Sequence, residues 1–484
     1  MAISYCCGGG HQNALKHVRM SKPSQHRLLA LLALLGLTLI RLAMAASLPL
    51  TPDETYYFTW AQHLQAGYLD HPPMVALWIK LGTALVGNHA LGVRLLGPLS
   101  AALGSWILYD TGNHLLPERR FGLQTAALFN ATLMLGAGCI IMTPDTPLIF
   151  FWTCGLWALA RLLSSGSIRW WLLAGLFAGL MLFSKYTAVL FLAAVGGWAL
   201  SCRPLRPQLR TSWPWLGIAL AVLIFTPDIV WNATHGWASY FKQGGRVNGF
   251  HPTRALQYFA ELIGAQTMLF TPLIAFLAGR GLWQLRRAPQ PGAQLLLWLT
   301  ILPSLVFLEH VLTNRVESNW PAIIYPSACL AAALCASSRW IRPVLALGAV
   351  ITAVVYVQSL SGFIPLPASE DTTALQLSGW QAMAQQAAAT HPDFITSDDY
   401  SITSEMAFYA PKDVDVVGFT PRWAYFNWPS AHERGKTGLL ITRRDSPCRD
   451  QIATLVRRRH GQAIMSYKLC RITVWSAGKI LPRP

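Results

Sequence analysis

Long apolar runs separated by short polar stretches fill the first three quarters of the chain. The first run, "LLALLALLGLTLIRLAMAASLPL", begins at Leu28, and others follow at about 90–110, 121–142, 146–163, 170–184, 186–201, 213–231, 261–279, 293–310, 320–337 and 340–360. A helix needs roughly 20 apolar residues to cross a bilayer, so the pattern predicts about 11 transmembrane helices. "AMA" at Ala43–Ala45 resembles a signal-peptide cleavage site, but the run is long and Arg41 interrupts it, so it reads as a retained span. The stretch from Trp170 to Cys202 must hold a hairpin with Ser184-Lys185-Tyr186 at its tip. Its arms are short, which draws Lys185 below the membrane surface. A charge there is costly and points into the bundle or a wet cavity.

Between the first two long runs the period is different. "DETYYFTWAQHL" is helix-compatible and amphipathic, and "PPMVALWIKLGTALV" is apolar but short. Both read as helices lying along the membrane surface. Beyond Ser361 the apolar runs stop. There "WQAMAQQAAA" and "DQIATLVRRR" read as helices, and "GLLITR" and "AIMSYKLCRITVW" as strands. The expected organisation is an N-terminal tail (1–27), a transmembrane domain (28–360) and a small α/β domain (361–484).

Composition agrees. Of 484 residues, 53% are apolar and 12% charged, against roughly 25% charged in soluble domains. The net charge of +17 need not signal nucleic acid, because Lys and Arg collect in cytoplasmic loops. Alternating the spans puts 16 of the 24 basic residues before position 361 on one side. Asp53, Glu54, Asp70, Asp145, Asp228 and Glu317 then share the other, outer side, and an odd number of spans places the C-terminal domain with them. Nine cysteines show no CxxC or metal-ligand spacing. Cys448 and Cys470 both fall in the outer domain, where a disulfide and two free thiols are both open readings.

The outer side thus gathers carboxylates (Asp53, Glu54, Asp70, Asp145, Glu317), cations (Arg94, Lys185, Arg246, Arg315), histidines (His71, His235, His251) and aromatics (Tyr56, Tyr57, Phe58, Trp60). Each has a plainer reading. Asp53 could cap a helix after Pro52, Asp145 could cap the span after it, and Glu317 with Asn319-Trp320 could start another. Asp70-His71 could be a turn. Together they suit one cavity on the outer side.

"TPDETYYFTWAQHLQAGYLDHPPMVALW" (51–78) resembles the first outer loop of the bacterial family 39 and family 83 glycosyltransferases, which share the GT-C membrane fold. "MTPDTPLIFFW" (142–152), "GLMLFSKYTAVL" (179–190), "IVWNATHGWASYFKQGGRVNG" (229–249), "NRVESNWPAIIYP" (314–326) and "TSEMAFYAP" (403–411) agree in order. The group includes protein O-mannosyltransferases and the lipid A aminoarabinose transferase. The resemblance implies transfer of a sugar from a polyprenyl-phosphate carrier, undecaprenyl phosphate in a bacterial inner membrane. Transfer would occur at the periplasmic face with inversion, onto a lipid, glycan or protein. Asp53 matches the loop aspartate that serves as base, Glu54 its acidic neighbour, and Asp145 a second outer-loop acid. Lys185 falls where a cation could meet the lipid phosphate, and a carboxylate base with cations on the departing phosphate suits that reaction; arginine's planar fork suits phosphate, so Arg94, Arg246 and Arg315 are candidates beside Lys185. The substrate-binding candidates are Tyr56, Tyr57, Asp70, His71, His235, Glu317, Asn319 and Trp320. The aminoarabinose transferase carries a Glu-Lys pair after its first outer-loop helices. Here Lys80 follows Ile79, which puts that sugar and metal use in doubt; no cofactor is required, though a divalent metal is compatible. A lipid-linked-substrate transporter and a non-catalytic scaffold are the alternatives.

Overall fold

The computed structural model describes residues 25–115, 121–245, 252–431, 435–445, 448–473 and 478–484. Arg246, His251, Arg119, Arg120 and the basic residues Lys16, Arg19 and Lys22 lie outside the described residues.

The chain begins with α1 (Gln25–Ser47), which runs unbroken through Ala43–Ala45. Arg41 is buried within it and donates to Asn130 Oδ1 at 3.0 Å and to the Gly136 carbonyl at 3.4 Å, so its charge faces protein rather than lipid. Next come α2 (Pro52–Gln62), α3 (Met74–Val86), α4 (Ala90–Arg94), α5 (Leu96–Leu115), α6 (Phe121–Ala131) and α7 (Leu133–Gly136). The bundle continues with α8 (Asp145–Ser165), α9 (Trp170–Leu182), α10 (Val189–Ser201), α11 (Ser212–Thr234), α12 (Ala238–Gly244) and α13 (Pro252–Leu269). It closes with α14 (Pro272–Leu285), α15 (Pro291–His310), α16 (Tyr325–Cys335) and α17 (Ser338–Ser361).

Among the described residues, six helical segments are long and apolar enough to cross a membrane, or up to nine if three sharply bent pairs each count as one span. Each run expected from the sequence coincides with a helix or a bent pair. The segments Trp170–Leu182 and Trp320–Cys335 are shorter apolar helices, so length and composition do not establish 11 spans. The run expected at 261–279 is not one straight helix. Thr271 adopts φ 66° and Pro272 opens α14, and the axis turns by 100°. Close helix contacts depend on missing side chains: a Cβ on Gly175 of α9 would lie 2.1 Å from the Gly217 carbonyl oxygen of α11.

The C-terminal region contains α18 (Thr372–Leu377), α19 (Trp380–Ala388), α20 (Tyr400–Tyr409) and a seven-stranded mixed sheet. Its strands are β1 (Phe394–Ser397), β2 (Asp415–Gly418), β3 (Ser430–Ala431), β4 (Thr437–Thr442), β5 (Asp450–Arg459), β6 (Gln462–Thr473) and β7 (Gly478–Ile480), in the order β3-β7-β2-β1-β4-β6-β5. β1 runs parallel to β2 and β4, and the other pairs are antiparallel. "DQIATLVRRR" is therefore strand β5, not the helix expected. His460 and Gly461 both have positive φ, 48° and 80°, forming the two-residue hairpin turn that matches strand twist. Leu455 and Arg457 alternate inward, and Arg457 lies 3.6 Å from the centre of the Trp380 ring. An arginine at an inward position hid the two-residue period. The structure pairs Cys448 with Cys470 in a disulfide, Cα atoms 5.5 Å apart.

One hydrophobic core joins α2 and α3 to this C-terminal region. Tyr56, Phe58, Trp60 and Val75 share it with Met406, Trp423, Phe426 and Leu439. Every residue of α2 from Glu54 to Ala61 is buried. α2 is thus sandwiched inside protein rather than spread on a membrane surface. α3 keeps one apolar face open through Leu77, Leu81 and Leu85.

Candidate active site

The adjacent acids Asp53 and Glu54 have separate environments. Thr51 starts α2 with a capping box: its hydroxyl accepts from the Glu54 N–H, and Glu54 Oε2 accepts from the Thr51 N–H at 2.9 Å. Glu54 is fully buried. It also takes Arg94 Nε at 2.7 Å, Arg94 Nη2 at 2.6 Å and the Met142 N–H at 3.0 Å. Arg94 spends its remaining donors on the carbonyls of Ala45, Leu48 and Pro49. This pair ties α1, α2, α4 and the segment before α8 together, and leaves Arg94 1% exposed. Such an arginine has no donor left for a carrier phosphate.

The capping work done by Thr51 and Glu54 frees Asp53, which stands on the open side of α2. Among the described residues its one hydrogen bond comes from Tyr400 Oη to Oδ1, at 3.3 Å. Loss of hydration among the surrounding protein raises its proton affinity. The Tyr400 hydroxyl works the other way, and the negative charges of Asp70, Glu54 and Glu317 add to the rise.

Next to Asp53, Asp70 accepts from Tyr56 Oη at 2.8 Å and pairs with both Lys242 of α12 and Arg422 of the C-terminal region. Burial opposes its charge, but the two cations outweigh that and hold its carboxyl below the usual carboxylate range. Asp70 is therefore a three-way tie rather than a simple turn. Tyr57 stands beside His71, ring centres 6.3 Å apart.

A second cluster forms at the N-terminus of α8. Lys185 Nζ bonds both oxygens of Asp145, at 2.7 and 2.8 Å, and Asn319 Nδ2 donates to Asp145 Oδ2 at 2.6 Å. Lys185 also lies 5.4 Å from the centre of the Trp320 ring. It is 5% exposed, as its short hairpin predicts. The Met74 N–H donates to the Phe183 carbonyl at 3.1 Å, holding α3 against this hairpin tip. Next door, Tyr186 and Asn232 bond the buried Asp228 of α11. Glu317, two residues from Asn319, lies within electrostatic reach of Asp53. Below Asp145 a narrow apolar crevice runs between α5 and α8, lined by Ala101, Phe129, Ile149, Phe150 and Ala322 among others.

Asp53 and Asp70 thus form one cluster and Asp145, Lys185, Asn319 and Trp320 a second, linked through the Glu54 bond to the Met142 N–H and through the Met74–Phe183 bond, with Glu317 within electrostatic reach of Asp53. Two candidates lie elsewhere. Arg315 is 63% exposed and pairs with Glu261 at 2.9 Å. His235 stacks on Trp231, centres 4.2 Å apart, at the edge of a separate cleft facing Tyr425 and Phe426. Sequence reading missed Tyr400, Arg422 and Lys242. The first two come from the C-terminal region, and only the nearby "TSEMAFYAP" hinted that this segment matters. Among the described residues no group of three His, Cys, Asp or Glu side chains could hold a metal ion.

Known proteins resemble this chain in sequence and in fold. The model of the dolichyl-phosphate-mannose-protein mannosyltransferase family matches residues 70–231. The lipid A galacturonosyltransferase RgtD of Rhizobium johnstonii is 25% identical over 398 residues, 79% of this chain and 82% of that protein. The crystal structure of ArnT from Cupriavidus metallidurans bound to undecaprenyl phosphate superposes with a TM-score of 0.66 at 14% identity, covering 92% of this chain and 98% of that one. The oligosaccharyltransferase AglB from Archaeoglobus fulgidus is more distant, with a TM-score of 0.50 at 10% identity over 79% of this chain and 63% of that one. The chain is a multi-pass membrane glycosyltransferase with the GT-C fold. Within that class it is similar along most of its length to RgtD and, in fold, to ArnT.

Proposed function

We propose that this enzyme moves a sugar from a polyprenyl-phosphate carrier, undecaprenyl phosphate in a bacterial inner membrane, to a hydroxyl or phosphate of a lipid A-type acceptor at the periplasmic face. The observation that supports this is Asp53: a carboxylate released from helix capping, open on one side, on a helix tied through Glu54 and Met142 to the segment before Asp145 and its partner Lys185. Asp53 takes the acceptor proton as the acceptor oxygen attacks the anomeric carbon. The bond from that carbon to the phosphate oxygen breaks on the opposite side, so the configuration inverts. The phosphate leaves as an anion and needs a cation more than an acid. An ammonium has three donors, and Asp145 occupies two of those on Lys185. The third is available to a phosphate oxygen, in a water-poor setting that strengthens the attraction. The apolar crevice below would take the first isoprene units.

RgtD is a lipid A galacturonosyltransferase by name, which makes a uronic acid the first donor sugar to test and lipid A the first acceptor. The positive-inside distribution and the disulfide Cys448–Cys470 support a periplasmic C-terminal domain spanning about 361–484. The test is transfer from undecaprenyl-phosphate sugars, galacturonate included, to lipid A by purified protein. Wild type should transfer and Asp53→Asn should not; full activity in Asp53→Asn would refute the assignment of the base.

A further inference from the structure

The C-terminal region reaches the proposed base. Tyr400, the first residue of α20, projects its hydroxyl to Asp53 Oδ1 across 347 residues of sequence. Asp399 fixes the start of α20 by accepting the Ser401 N–H at 2.8 Å. The Tyr400 ring is held from two directions: Tyr56 lies 4.7 Å away, centre to centre, and the Arg422 guanidinium 4.1 Å from its centre. Arg422 in turn bonds Tyr56 Oη at 3.1 Å and pairs with Asp70. The phenol therefore has little freedom to swing away from Asp53.

We propose that Tyr400 is a positioning residue for the reaction: its hydroxyl occupies Asp53 Oδ1 and leaves Oδ2 to receive the acceptor's proton. This rests on the reading of Asp53 as base. A carboxylate accepts at both oxygens, and among the described residues Oδ2 makes no hydrogen bond. A donor on one oxygen fixes the rotation of the group and favours its ionised form, the form a base needs. The separation of 3.3 Å is longer than the usual 2.7–2.8 Å for such a bond. Bonds of this kind tighten when substrate closes the site. The catalytic carboxylate is thus completed by a domain outside the bundle, and the arginine on Asp70 holds the phenol in place.

Tyr400→Phe isolates the hydroxyl, because the ring and its contacts with Tyr56 and Arg422 survive. Transfer should be measured from pH 4 to 9 beside wild type and Asp53→Asn, with thermal midpoints as a folding check. The expected result is a fall in kcat of about tenfold, an acidic limb displaced upward by roughly half to one pH unit, and unchanged KM for the donor and thermal midpoint. A Tyr400→Phe enzyme with wild-type kcat and an unmoved acidic limb, while Asp53→Asn is inactive, overturns the proposal and leaves the base standing. Full activity in Asp53→Asn removes the base and this proposal together. If Tyr400→Phe lowers kcat only in step with its thermal midpoint, with the limb unmoved, the residue is structural and the proposal fails. Tyr400→Leu, which also removes the ring, should lose more activity than Tyr400→Phe.

Discussion

Replacing Glu54 by glutamine and, separately, Asp53 by asparagine should give opposite outcomes. Glu54 accepts five hydrogen bonds, two from Thr51, two from Arg94 and one from the Met142 N–H. Both members of the Glu54–Arg94 pair are almost wholly buried. Removing one charge of such a pair leaves the other uncompensated, at a cost of about 3–5 kcal/mol, and weakening the capping box adds about 1 kcal/mol. Against a total of roughly 5–15 kcal/mol for a domain, Glu54→Gln should sharply lower yield and thermal midpoint. Asp53 caps nothing, so Asp53→Asn loses only a favourable charge in the first helical turn, less than about 1 kcal/mol. It should instead lower transfer by roughly 10²–10⁴-fold. Thermal unfolding in detergent and transfer assayed well below both midpoints separate the two. The double replacement of Glu54 and Arg94 by methionine should be less destabilising than either single one, because no lone charge remains. Wild-type stability in Glu54→Gln, or a large loss of stability in Asp53→Asn, would refute this division of labour.

Lys185→Met should cut kcat by about 10²–10³-fold, as expected for loss of a group that stabilises leaving charge, and should lower the thermal midpoint by stranding Asp145; single-turnover kinetics with excess donor would show it. Arg315→Ala should keep activity within about twofold and stability within ~1 kcal/mol, since an exposed pair such as Arg315–Glu261 contributes little. Because the Asp53 carboxyl is held above its ordinary value, ionisation fails first as pH falls. The acidic limb of transfer should therefore lie above the roughly 3.9 of a free aspartate, measurable in a pH–rate profile. Cys448→Ser should cost about 2–4 kcal/mol of C-terminal stability while wild type shifts mobility on reducing gels.

The burial of Lys185 was legible, because a short hairpin draws a charge below its ends. Which of two neighbouring acids caps a helix was not legible, since Thr51-Pro52-Asp53-Glu54 fits either choice until the N3 side chain is seen folded back. Arg94 looked like a phosphate ligand because sequence carries no record of the carbonyls that consume its donors. β5 was missed because Arg457 points inward against Trp380, where a pattern reader expects an apolar residue. The contacts of Tyr400 and Arg422 join segments more than 300 residues apart, beyond the reach of any local pattern. Length and composition alone do not fix the span count where helices are short or bent.

The core shared by α2 and the C-terminal region bears on the order in which the molecule is made. Synthesis runs from the N-terminus, so Tyr56, Phe58 and Trp60 leave the ribosome long before Trp423 and Phe426, their packing partners. Until those partners are translated, the helix carrying Asp53 lacks part of its core and Asp53 lacks Tyr400. A chain stopped before Tyr400 would carry its apolar helices but not the Tyr400–Asp53 contact. A premature stop before Tyr400 should therefore leave a protein that inserts but does not transfer sugar, a failure of assembly rather than of membrane insertion.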